Sequence, residues 1–227
     1  MSDRLGIWAR TAVWALPVYG ALLTIGTITQ QPDYRTDFGA YASYVTMATF
    51  LASHVIASIV GAAFGLIGMA ALFVLTDDAS PKRARSGFVL SAFGQVGLVS
   101  IFGVAAFAQP AIGRAFLDGG RTVAEAINAD VYGGALVAIA ALSLVLFVGG
   151  GVLLGSAARR VRTWPRWAGT AFAGSITVFA IGVFVEVPSL QPLAGIGVGL
   201  ASVGIARAAG AADRAAAELV ADGVTLR

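Results

Sequence analysis

The sequence has no cysteine, one histidine and few charges: 12% of its 227 residues are Asp, Glu, Lys or Arg. The missing cysteines exclude disulfides, thiolate metal sites and cysteine nucleophiles, and they leave the redox compartment open. One histidine, His54, excludes a bis-histidine haem and a multi-histidine metal centre within a single chain. Ordinary soluble domains carry about 25% charge. A chain this poor in charge, with 58% hydrophobic residues and a mean hydropathy of +0.83, is a polytopic membrane protein. Also missing are a phosphate loop, a GxGxxG after a strand, an HExxH, a GxSxG elbow and a paired acidic motif for magnesium diphosphate. These absences argue against a transport ATPase, a membrane protease of those classes and an aspartate-rich prenyltransferase. No residue set calls for a cofactor or a metal, and a net charge of +3 calls for no nucleic acid.

What the chain does have is long apolar stretches. The one at residues 44–76 holds His54 and no other titrating group except Tyr44. About 20 apolar residues at 1.5 Å rise cross a hydrocarbon core of roughly 30 Å, so this stretch is long enough to span and protrude. The same reading predicts six transmembrane helices, at about 7–29, 44–76, 87–108, 131–157, 168–187 and 193–206, in a single all-α bundle without a separate soluble domain. Pro17 predicts a kink in the first span. Residues 30–41 read as a loop ending in headgroup-level tyrosines, and residues 77–86 as a tight charged turn. Residues 111–130 carry Arg114, Asp118, Arg121, Glu125 and Asp130 and are too polar to span. Their apolar residues recur at helical spacing, which predicts a pair of short interfacial helices broken at Gly119 and Gly120. The last span is short unless it continues into the alanine-rich tail.

The basic residues set an orientation. Two arginines precede the first apolar run and no small-residue cleavage site follows it, so the first span reads as retained with its N-terminus inside. Six spans then place both termini in the cytoplasm, with Arg4, Arg10, Lys82, Arg83, Arg85, Arg159, Arg160, Arg162, Arg166, Arg207, Arg214 and Arg227. Only Arg35, Arg114 and Arg121 fall outside, so twelve of the 15 basic residues lie on one side. Within the bundle, helices are expected to associate through small residues, because lipid tails are as apolar as leucine. Ser53, Ala57, Gly61 and Gly65 recur every fourth position, as do Gly151 with Gly155 and Gly195 with Gly199. Several spans carry the pattern, which favours packing within the chain over a dedicated dimer interface.

Few residues are candidates for chemistry. His54 lies about ten residues inside its helix, with Ser58 one turn on; it reads either as a proton relay or ligand contact, or as interhelical glue. Glu186 closes the fifth span beside Pro188; pointed inward it would be an acid or proton carrier, and at the interface it would be a helix end. Asp130 reads most simply as an N-terminal residue of span four complementing the helix dipole. Gln95, with Ser91 one turn before it, reads as glue or ligand contact, and Tyr132 as a ligand-facing aromatic. His54, Gln109, Asp130, Tyr132 and Glu186 all fall in the outer half, which allows an outward-facing polar pocket.

The stretches RTWPRWAGTAFAG and ASHVIASIVGAAFGLIGMAALFVL, with the TDFGAY loop, resemble small multi-pass membrane proteins of unknown function common in actinobacteria. The resemblance implies a six-helix protein of the bacterial plasma membrane and no activity. The functional expectation is a protein that binds or passes a small apolar or weakly polar molecule, or serves as an accessory subunit to a membrane protein partner. The alternative is an integral-membrane enzyme acting on a lipid or isoprenoid, with Glu186 or Asp130 as the acid and Phe184 and Tyr132 stabilising cationic intermediates.

Overall fold

Pro17 divides the first apolar stretch. In this computed structural model, which describes the backbone of residues 3–185 and 187–221 and the side chains of 4–185 and 187–211, the stretch forms α1 (Asp3–Ala12) and α2 (Ala15–Thr27). Pro17 has no N–H to offer the carbonyl of Val13, and that carbonyl accepts from the Leu16 amide instead at 3.1 Å. The expected kink is therefore a break at Val13 and Trp14, and Pro17 sits in the first turn of α2, where its missing donor costs nothing.

The described residues are predominantly helical and hold no strand. After α2 comes α3 (Phe38–Val45), which starts where the Asp37 carboxylate accepts from the Ala40 amide at 2.9 Å. Residues 44–76 are thus not one helix. Met47 is extended, and the span itself runs from Ala48 to Thr76 through α4 (Ala48–Ala52), a π-helical stretch (Ser53–Val60) and α5 (Gly61–Thr76). Next, α6 (Pro81–Leu117) is a single helix of 37 residues that begins earlier than expected and continues straight through Pro110. The first of the two expected interfacial helices is its C-terminal extension. Gly119, at φ 98°, ends it in a conformation that only glycine adopts freely, and the second expected helix follows as α7 (Arg121–Val131). The remaining helices are α8 (Gly134–Ala158), α9 (Arg166–Ile181), which ends short of the predicted 187, and α10 (Leu190–Ala221), which does continue into the tail.

Four of these helices are long and apolar enough to cross a membrane: Ala48–Thr76, Pro81–Leu117, Gly134–Ala158 and Leu190–Ala211. At 1.5 Å per residue, α6 is about 56 Å long, so its C-terminal part overhangs any bilayer core. There α3 and α7 cover it, tied together by the Tyr41 hydroxyl donating to Asn128 Oδ1 at 3.1 Å and by Phe38 stacking on Phe116 at 4.8 Å.

Six helical rods close into a ring. α2 packs on α5, α5 on α6, α6 on α8, α8 on α9, α9 on α10, and α10 returns to α2. Small residues set the approach. A Cβ added at Gly61 would lie 3.2 Å from Leu22, and one at Gly65 would lie 3.1 Å from Tyr19. Gly61 and Gly65 therefore receive the α2 side chains in antiparallel order. Gly155 meets Gly169, and Gly20 meets Gly199, backbone to backbone. The small-residue faces are used within the chain, between neighbouring rods.

Packing is uneven along the bundle. Leu16, Met69, Leu72, Leu154, Trp164, Phe172, Ile176, Val198 and Ile205 form a closed core toward the end that holds the α5–α6 and α8–α9 turns. Toward the opposite end the same ring is hollow.

Candidate functional site

The hollow is a chamber of about 360 Å³ to which every rod contributes. Its floor is Tyr19 of α2, Gln95 of α6 and Phe147 of α8. Gln95 is 2% exposed; it accepts from the Tyr19 hydroxyl at 3.4 Å and donates to the Ala62 carbonyl at 3.4 Å. Both bonds are long, so the pair closes the floor without locking it. Leu22, Leu98, Phe102, Ala140, Leu144 and Phe179 make the walls apolar. Val137 and Phe184 line the chamber while 59% and 73% exposed, so it is not sealed from the surroundings of the bundle at this end.

A second, polar hollow of about 240 Å³ adjoins it, lined by Thr29, Gln30, Gln31, Tyr44 and Ser53. Gly26, Thr27, His54 and Gln191 border both spaces. His54 therefore stands where a polar vestibule gives way to an apolar interior. The π-helical stretch puts it there. Where bonding switches from i+4 to i+5, the backbone turns wider. Just ahead of that switch the Phe50 carbonyl accepts from the Ser53 amide, from Ser53 Oγ at 2.9 Å and from His54 Nδ1 at 3.0 Å. With its proton held on Nδ1, the neutral ring offers Nε2 as an acceptor. Phe50 also lies against the imidazole at 4.1 Å between ring centres, which fixes its tilt. Such π turns recur at functional sites because they re-aim side chains.

The expected site residues separate into three groups. His54 and Gln95 meet at the chamber, and Ser58 lines it beside them. Tyr132 and Gln109 lie elsewhere, in the aromatic cover of the α6 overhang. Tyr132 sits 6.3 Å from Tyr34, and its buried hydroxyl and the buried Gln109 Oε1 face a shared space without a hydrogen bond of good geometry. Burial pushes the Tyr132 phenol up to about 12, and burial with the neighbouring Tyr132 and Tyr34 also raises Tyr41. Asp130 is exposed and belongs to the last turn of α7; it is not at the start of α8, where Gly133 is the cap. The expected dipole role does not hold, because a carboxylate at a helix C-terminus opposes the dipole. Glu186 lies outside the described residues.

Tyr19, Thr27 and Gln191 are chamber residues that the spacing of the sequence did not single out. Their signal was there, as isolated polar residues inside or beside apolar runs. Among the described residues, the chamber and vestibule carry no Asp, Glu, Lys or Arg, and no group of three or more His, Asp or Glu side chains is placed to hold a metal ion. Chemically, the site offers shape, apolar surface, one imidazole acceptor and a few amide and hydroxyl groups. Compared with protein-family models, curated proteins and solved structures, the chain finds no match.

Proposed function

We propose that the protein is a six-span helical bundle of the bacterial plasma membrane that binds, or passes between leaflet and exterior, a small apolar or weakly polar molecule. It acts alone or as the accessory subunit of a membrane protein partner. The observation that carries this reading is the chamber: about 360 Å³, built by all six rods, without a charged side chain among the described residues, and reached past His54 from a polar vestibule. That volume falls in the range of ligand pockets, about 300–1,000 Å³. The six-span arrangement has support from the ring, in which α2 and α9 stand as full members between the four longer helices. The orientation has support from the basic residues, since Arg83, Arg159, Arg160, Arg162 and Arg166 gather at the end opposite the vestibule. With that end in the cytoplasm, the chamber opens outward.

The test is native mass spectrometry of the protein purified in mild detergent, with extraction and identification of what co-purifies. The expected result is a stoichiometric neutral molecule on the wild type that is lost in Ala140→Trp, whose indole fills the chamber while the melting temperature is kept. His54→Ala should weaken its binding about tenfold, the worth of one hydrogen bond of ~1.4 kcal/mol. A wild-type protein that carries no molecule and takes up none from added lipid extract would overturn the reading.

A further inference from the structure

A second large cavity, of about 670 Å³, lies at the other end of the bundle and has the opposite character. Arg83 from the first turn of α6, Arg159, Arg160 and Arg162 from the α8–α9 turn, and Arg166 at the start of α9 converge on it. No carboxylate lines it among the described residues. Of the two acids nearest by sequence, Asp78 does not line the cavity, and Asp77 is engaged by Arg85, which holds both its carboxylate oxygens at 3.0 Å. Arg83 is half-buried and held in place by donating to Ser156 Oγ at 2.9 Å. Five guanidinium groups thus repel one another, two of them on helix first turns where the dipole disfavours a cation. The preference for arginine on cytoplasmic loops explains how many arginines lie at this end; it does not explain their convergence on one cavity with a hydroxyl orienting one of them.

We infer that this cavity is a phosphate-binding site, and that its ligand is the headgroup of an anionic phospholipid from the adjacent leaflet. Guanidinium forks match phosphate oxygens in a way that simple surface charge does not. The lipid source is favoured by Trp167, which flanks the same turn and is 58% exposed, in the manner of aromatic side chains at headgroup level. The site is independent of the chamber, which opens at the far end.

The test compares saturable binding of short-chain phosphatidylglycerol, phosphatidylcholine and inorganic pyrophosphate to the full-length protein by native mass spectrometry. Phosphatidylglycerol should bind one to one and phosphatidylcholine should not. Arg159→Gln/Arg160→Gln/Arg162→Gln should weaken binding roughly a hundredfold, each arginine near a headgroup being worth about fivefold. Arg4→Gln/Lys82→Gln/Arg207→Gln removes as much charge from the same end outside the cavity and should change binding by no more than about threefold once salt screens it. If the glutamine triple does not fold, the lysine triple at 159, 160 and 162 keeps the insertion charge and should still bind more weakly, because ammonium groups lose the forked contact. Pyrophosphate bound in place of phosphatidylglycerol, with the same sensitivity to the cavity triple, would support the phosphate site and assign its ligand to a soluble source. Equal loss in the two glutamine triples, or no saturable binding of either anion, would overturn it.

Discussion

The two ends of the bundle are built from the same six rods and differ in what fills the ring. At the arginine end, Leu72, Leu154, Phe172 and Ile205 meet in a closed core, with glycines drawing the backbones together; at the His54 end, the rods stand around a chamber walled by apolar side chains. Tight small-residue contacts join the rods along the whole ring, at Gly195 against Thr24 and Gly182 against Gln191 near the chamber as at Gly155 against Gly169 near the arginines; what differs is the inside of the ring, filled by side chains at one end and hollow at the other.

This division is open to direct attack, beginning with the largest effect. A Cβ at Gly155 would run into the Gly169 carbonyl and lie 2.9 Å from the Ala173 Cβ. Gly155→Val should therefore cost about 3 kcal/mol, by overpacking a site with no room to relax. Ala140→Leu, which adds three carbons toward the chamber, should cost less than about 1 kcal/mol. Unfolding of both variants by SDS titration measures the contrast, and equal costs would erase the distinction between the solid and hollow ends.

A smaller effect concerns the aromatic cover over the α6 overhang. The Tyr132 phenol is held protonated to about 12 in the fold, against an ordinary value of 10.0. Above the ordinary value the unfolded chain releases a proton that the folded chain keeps, so folding loses free energy as pH rises. The contribution is present in full below pH 10 and declines between there and pH 12. Melting temperature should fall over that window, and Tyr132→Phe should make the fall shallower; a slope unchanged in the variant would place the titration elsewhere.

Much of the fold was legible because it rests on patterns local to one segment. The apolar stretches located all six rods, and the recurrence of Gly61, Gly65, Gly155, Gly195 and Gly199 marked faces that do pack between neighbours. Element ends were less legible. Gln109 and Pro110 looked like a stop, yet a proline inside a helix leaves the upstream carbonyl to be accommodated by its surroundings, and α6 runs on to Leu117. Residues 44–47 looked continuous with the span, but Asp37 caps a separate helix and Met47 turns the chain. The site was legible in part. His54, Ser58 and Gln95 stood out as polar groups in apolar helices. What no spacing revealed was the π-helical stretch that aims His54, or the closure of α10 on α2 that brings Gln191 to the vestibule, since both depend on contacts between distant segments. The grouping of Tyr132 with His54 by depth failed for the same reason: equal depth does not mean a shared face of the ring.

Because the sequence holds no cysteine, a single introduced thiol can report on the inside of the ring. Ser58→Cys places one thiol in the chamber, and Ser91→Cys places one in the solid packing between α6 and α8, where Ser91 is fully buried against Gly150. Each variant, delipidated in detergent, is exposed to a small uncharged thiol reagent and followed by intact mass. Modification should be rapid at position 58 and absent at position 91 until the protein is unfolded. Protection at both positions, or equal reaction at both, would contradict a bundle that is hollow at one end and solid at the other.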